Sequence, residues 1–207
     1  DIPPAWGYLI CALVVLPLVT HGLTSIARLQ VWTQPLWLGL LILPYVYVFM
    51  HYPDLPAQIR DYAGVHAQGQ GGAFSLPLFG AAMTVGIALI TQMGEQVDYL
   101  RFMPAPEPGK TGKGRWRWWA AVFIGGPGWV LIGVLKMLGG ALLAFLAIRL
   151  MVPAERAVDP NQMYLVAFET VFSRPDVAVA ATALLVIVSQ LKINVTNAYA
   201  GSLAWSN

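Results

Sequence analysis

KINVTNAYAGSLAWSN, residues 192–207, follows directly on ATALLVIVSQL, residues 181–191. A run of hydrocarbon side chains therefore gives way, without a turn signal, to a lysine, asparagines, a threonine and serines. In a bilayer no water is present to satisfy such groups, and an intramembrane ionisable residue costs roughly 2.5–3.5 kcal/mol on insertion scales. On a helical wheel Ser189, Lys192, Thr196 and Tyr199 share one face. Gln190, Asn194 and Asn197 share another, roughly 120° away. A helix with two polar faces has neither to offer lipid. It is expected deep in a bundle, against partner helices or a water-filled cavity. Interhelical hydrogen-bond glue is the bland alternative, but the polar groups are denser than glue requires.

The rest of the chain agrees with a membrane setting. Of 207 residues, 57% are hydrophobic and 11% charged, with mean hydropathy +0.63. A soluble domain carries about a quarter charged residues; too few are present here to coat a surface in water. The net charge of +2 says less than where the charges lie. A single cysteine, Cys11, excludes an internal disulfide and a cysteine-based metal site, and His21, His51 and His66 form no ligand motif. No cofactor, metal, nucleic-acid partner or catalytic nucleophile–base pair is expected, and the chain does not read as an enzyme. The start at Asp1, without an initiator methionine, and the end at Asn207, without a polar tail, predict an excerpt of a longer protein.

Five apolar runs are long enough to cross a bilayer: 5–20, 31–50, 74–97, 118–151 and 177–207. Pro17, Pro44 and Pro127 lie inside them and are tolerated where neighbours re-satisfy the backbone. Residues 101–118 hold Arg101, Lys110, Lys113, Arg115 and Arg117, five of the twelve basic residues, so this loop is expected in the cytoplasm of a multi-pass inner-membrane protein. The link around Arg28 falls on the same side, and loops 51–73 and 152–176 fall outside. Trp116, Trp118 and Trp119 beside these arginines read as an interfacial aromatic belt.

Two motifs do not survive inspection. EPGKTGKG, 107–114, lacks the leading glycine of a phosphate-binding loop, which would stand at Pro104. Asn194-Val195-Thr196 matches a glycosylation acceptor but lies within a span. Gly139, Gly140, Ala144 and Ala147 give the spacing of close helix packing. On the third run Thr84, Thr91, Glu95 and Asp98 share a face flanked by Gln92 and Gln96, and Gly80, Gly86 and Gly94 offer places for the helix to break. Gln92 and Glu95 are site candidates, whereas Asp98 approaches the interface beside Arg101. Lys136, mid-span, is expected to pair with a carboxylate such as Glu95 or to face a cavity.

GLTSIARLQVWTQPLWLGLLI, then MGEQVDYLRF, then INVTNAYAGSLAWSN together resemble the nucleobase–cation symporter-1 family, the purine–cytosine permease-like transporters. Asp98-Tyr99-Leu100-Arg101-Phe102 is similar to that family's acidic-aromatic-x-Arg-Phe signature, and Asn194 with its neighbours to its asparagine-rich eighth helix. The resemblance implies an all-α polytopic fold with the LeuT-like five-plus-five inverted repeat, in which the five runs take the place of helices four to eight. It implies a permease for a nucleobase or related heterocycle, with Gln92, Glu95, Asn194 and Asn197, or Asn197's neighbour Ala198, on the substrate and Ser189, Lys192 and Thr196 at the ion-coupling position. Two departures stand out. The family's stacking aromatic of helix six falls near Leu89, and the adjacent hydroxyls that hold sodium fall at Lys192 and Ile193. A lysine there implies coupling to H+ instead of Na+, or to no ion, because a buried ammonium can exchange its proton. The alternative reading is a transporter-like sensor domain fused to a cytoplasmic signalling module.

Overall fold

The computed structural model describes residues 3–62, 74–106 and 112–206; the side chains of Pro4, Leu89, Thr91, Gln92 and Met93 lie outside the described set. The described residues are helical, with no strand among them. In chain order the helices are α1 (Pro4–Thr20), α2 (Leu23–His51), α3 (Leu55–Asp61), α4 (Leu76–Leu100), α5 (Lys113–Gly125), α6 (Trp129–Arg149), α7 (Ala154–Ala157), α8 (Pro160–Val171) and α9 (Pro175–Ser206). Three of them, α2, α6 and α9, are long and apolar enough to cross a membrane, and they mark the chain as a membrane protein. The shorter α1 and the first half of α4, 76–88, are apolar as well.

The chain divides into two compact units. One comprises 1–60 and 142–207, the other 61–141. In the first unit α9 stands between α1 and α2 and also packs on α8. Val15, Ile26 and Val195 close the α1–α2–α9 seam, with Leu191 and Tyr199 against them. Phe168 of α8 meets Ala178 and Leu185 of α9, together with Trp37 and Leu40 of α2. The end of α6 enters this unit from Leu142 on. Its Leu142, Leu143 and Leu146 pack with Val48, Leu55 and Ala167, and Ala147 packs with Ala157 and Val166. Of the small residues expected to give close packing, Ala147 does so; around Gly140 an added Cβ would meet open space.

Polar contacts fix the ends of these elements. Arg149 pairs with Asp54 at 3.4 Å and lies over the Tyr52 ring at 5.6 Å, joining the end of α6 to the turn after α2. Asp159 caps α8 by accepting from the Asn161 N–H at 2.8 Å, with Pro160 at the first helical position. The Tyr45 and Tyr164 hydroxyls are 3.3 Å apart with their rings edge-on. Burial, then the Tyr45 hydroxyl, raises the Tyr164 phenol above its ordinary pKa, so it stays neutral at physiological pH.

The second unit contains α4, α5 and the first part of α6. Two expectations change here. The run 118–151 is not one helix: it is split between α5 and α6 at Gly126-Pro127-Gly128. Pro127 has no N–H to give the ladder, and the backbone closes tightly on itself. The Gly128 N–H bonds the Phe123 carbonyl at 2.7 Å, and a Cβ on Gly128 would lie 2.7 Å from that same oxygen. Conversely α4, which Gly80, Gly86 and Gly94 were expected to loosen, runs unbroken from Leu76 to Leu100. Single glycines cost a helix about 1 kcal/mol each but keep their N–H groups; proline between glycines is what removes one. Gly128→Ala is therefore expected to destabilise by about 1–3 kcal/mol through backbone overlap. Gly140→Ala, with open space, is expected to be neutral or stabilising. Thermal unfolding of both variants in detergent checks the contrast.

The second run is also longer than the 31–50 expected: α2 begins at Leu23, and Arg28 lies on the helix, the link being reduced to His21 and Gly22.

Candidate functional site

The first polar stripe of α9 meets α2. Lys192 Nζ donates to Gln34 Oε1 at 2.7 Å, to Thr33 Oγ1 at 3.4 Å and to the Gln30 carbonyl at 3.4 Å. The Gln30 side-chain amide donates back to the Lys192 carbonyl at 3.3 Å. One turn away, Trp37 Nε1 donates to Ser189 Oγ at 2.8 Å, and the Trp37 ring lies 5.4 Å from the ammonium, within cation–π range. Three oxygens use the three ammonium protons. All three are uncharged, and among the described residues no carboxylate pairs with Lys192.

The positions follow from helical spacing. Gln30, Thr33, Gln34 and Trp37 recur at three- and four-residue steps, so they line one face of α2. Ser189 and Lys192 stand on the facing stripe of α9. Val195, fully buried against Val15 and Ile26, brings the helices close enough for side chains of this length to meet.

The second stripe turns elsewhere. Asn194 donates to Cys11 Sγ on α1 at 3.3 Å. The two polar faces of α9 are thus answered by two different neighbours, α2 on one side and α1 on the other. Thr196 is turned back on its own helix, donating to the Ile193 carbonyl at 2.9 Å and to that of Lys192 at 3.1 Å. Asn197 and Gln190 are exposed. Of the groups expected deep in a bundle, Ser189, Lys192 and Asn194 are half-buried against a neighbouring helix, and these two are not.

The remaining candidates lie on the second unit. Gln92 is on α4, with its side chain outside the described residues; Leu89, at the place of the expected stacking aromatic, is likewise undescribed beyond its backbone. Glu95 is half-buried. Asp98 pairs with Arg101 at 3.8 Å, one turn on. Lys136 is exposed and makes no ion pair with Glu95, so the expected pairing is not formed. No group of His, Cys, Asp and Glu among the described residues could hold a metal ion. His66, Lys110 and most of the phosphate-loop-like stretch lie outside the described residues.

A cleft of about 410 Å3 opens between α8 and α9, with Asp159, Asn161 and Gln162 at one end and Leu165, Val179 and Val186 along its walls. It holds none of the predicted site residues.

No protein-family model, no curated protein and no solved structure matches this chain.

Sequence reasoning missed the α2 half of the seam. The polar stripe Gln30, Thr33, Gln34 within QVWTQPLW was readable as a helical face, but a second run begun at residue 31 cut it in two. The Cys11–Asn194 contact had no comparable signal, since a lone thiol on an apolar helix reads as packing.

Proposed function

We propose that this chain forms the central part of a secondary transporter for a nucleobase or related flat heterocycle, in which the Lys192 ammonium is a built-in cation. The reading rests on one observation: an ionisable side chain on an apolar helix long enough to span ends on uncharged oxygens of the neighbouring helix, with no counter-ion among the described residues. A hydroxyl, an amide oxygen and a backbone carbonyl are the ligands that a hard monovalent cation prefers. A residue needed only to hold α2 to α9 would be cheaper if neutral, because the charge costs roughly 2.5–3.5 kcal/mol to insert.

The resemblance to purine–cytosine permease-like transporters supplies the rest. Lys192 falls where sodium-coupled members carry one of the hydroxyls around their ion, so transport is coupled to protons or to no ion. Amide groups such as Gln92, Asn194 and Asn197, with Glu95, suit the alternating donors and acceptors along the edge of a purine or pyrimidine. In this reading α1, α2, α4, α5 with α6, and α9 make five crossings of the inner membrane. The break at 126–128 lies within the fourth crossing, and loop 101–118 is cytoplasmic.

Uptake of labelled adenine, cytosine, uracil and hydantoin by cells expressing the full natural protein tests this directly. At least one label is expected to accumulate and to be competed by its unlabelled form. Failure of all four to enter above the level of cells lacking the protein would overturn the substrate class.

A further inference from the structure

A second charged feature lies far along the chain from Lys192 and plays no part in the transport reading. α5 begins KGRWRWW, placing Lys113, Arg115 and Arg117 within its first turns, all exposed. Among the described residues none of these three cations meets a carboxylate. Beside them is a cleft of about 330 Å3, lined by Pro104, Pro106, Gly114, Arg115, Arg117 and Trp118. Its wall is fixed: Trp118 Nε1 donates to the Pro104 carbonyl at 2.8 Å, and the Trp119 ring stands edge-on to that of Trp118 at 5.0 Å. Gly112, with φ +73°, turns the chain into α5, and among the described residues no side chain caps the first-turn N–H groups. Two arginines, the first turn of α5 at Gly114 and an indole held by its bond to Pro104 thus line one concave surface, with no negative charge among the described residues that line it.

We propose that this cleft seats the phosphate of an anionic phospholipid headgroup. Guanidinium matches phosphate oxygens two at a time, and helix N-termini favour negative charge. The course of α5 selects lipid as the source of the phosphate. The helix begins with cations and tryptophans and continues as AAVFIG, with Phe123 and Ile124 exposed. Tryptophan at the headgroup level, with apolar side chains beyond it, is how a helix enters a bilayer surface. A phosphate held at the first turn of α5 therefore carries its acyl chains in the direction of the exposed apolar side chains.

The test uses the full chain in detergent micelles, titrated with dioctanoyl phosphatidylglycerol, dioctanoyl phosphatidylcholine or inorganic phosphate, with bound lipid counted by native mass spectrometry. Saturable binding of the phosphatidylglycerol is expected, weakened on the order of tenfold or more in Arg115→Gln/Arg117→Gln and weakened less in Arg115→Lys/Arg117→Lys, which keeps the charge but loses the fork. Phosphatidylcholine is expected to bind no more tightly to the native chain than to the glutamine variant. Three results would overturn the proposal: equal phosphatidylglycerol binding by native and glutamine-variant chains, no preference for phosphatidylglycerol over phosphatidylcholine, or competition by inorganic phosphate at the lipid's own concentration. Should the glutamine variant fail to fold, the lysine pair carries the same comparison, and Trp118→Phe, which removes the indole N–H bonded to Pro104 and shrinks the ring that lines the cleft, supplements it: phosphatidylglycerol binding weaker in these variants than in the native chain supports the proposal, and unchanged binding overturns it.

Discussion

Lys192→Met in the full natural protein is expected to abolish uptake while leaving insertion and folding intact. The two effects separate because they rest on different terms. Removing an ammonium from a membrane span relieves roughly 2.5–3.5 kcal/mol of insertion cost. It also forfeits hydrogen bonds to Gln34, Thr33 and the Gln30 carbonyl, each worth about 1.5–3 kcal/mol for a charged donor and less where partly exposed. Lys192 is only half-buried, and two of its three contacts are long at 3.4 Å, so gain and loss nearly cancel. Met is close to Lys in length and keeps the packing beside Trp37. Membrane expression and the melting temperature should therefore stay near those of the native chain, while uptake falls by about a hundredfold or more if the cation is part of the transport cycle. Lys192→Arg keeps the charge but needs a wider seat than Thr33 and Gln34 provide, and is expected to retain only a small fraction of activity. A Lys192→Met protein that transports normally would reduce the seam to a structural contact.

Phe168→Ala is expected to have the largest effect on stability, about 3–5 kcal/mol. Phe168 is fully buried. Its ring is 6.2 Å from that of Tyr164 and 5.9 Å from that of Phe172, with Ala178, Leu185, Trp37 and Leu40 around it. The side chain holds α8 onto both α2 and α9, so truncation opens a cavity where three helices meet. Tyr164→Phe, which removes only the hydroxyl shared with Tyr45, should cost about 1 kcal/mol. Thermal unfolding in detergent checks the ranking: the alanine variant should melt far below the native chain and the Tyr164 variant only slightly below. Equal shifts would show that α8 is not anchored through this ring.

What could be read in advance divides by the kind of signal. Apolar length alone marks α2, α6 and α9 as helices long and apolar enough to cross a membrane. The polar stripes of α9 were visible as spacing, and Lys192 and Ser189 duly face a partner helix. Their partner was not visible. Which helix answers a stripe depends on tertiary packing, and Gln30, Thr33 and Gln34 became legible as the answering face only once α2 was seen to begin at Leu23. The helix break was expected at the wrong glycines for a local reason. Gly80, Gly86 and Gly94 each keep an N–H for the ladder, whereas at 126–128 a proline that lacks one stands between two glycines; Pro17 in α1 and Pro35 and Pro44 in α2, without such flanking glycines, leave their helices unbroken. The exposure of Asn197 was illegible from a wheel, which gives the direction of a side chain but not which directions the neighbouring helices cover.

In the proposed transporter, Lys192 occupies, as part of the protein, the place where a coupling sodium would otherwise bind. Sodium dependence of substrate binding by the purified full natural protein tests this most directly, with choline replacing sodium and native protein compared with Lys192→Met. Binding by the native protein should be the same in sodium and in choline. Binding that requires sodium, and that Lys192→Met leaves undiminished, would contradict it.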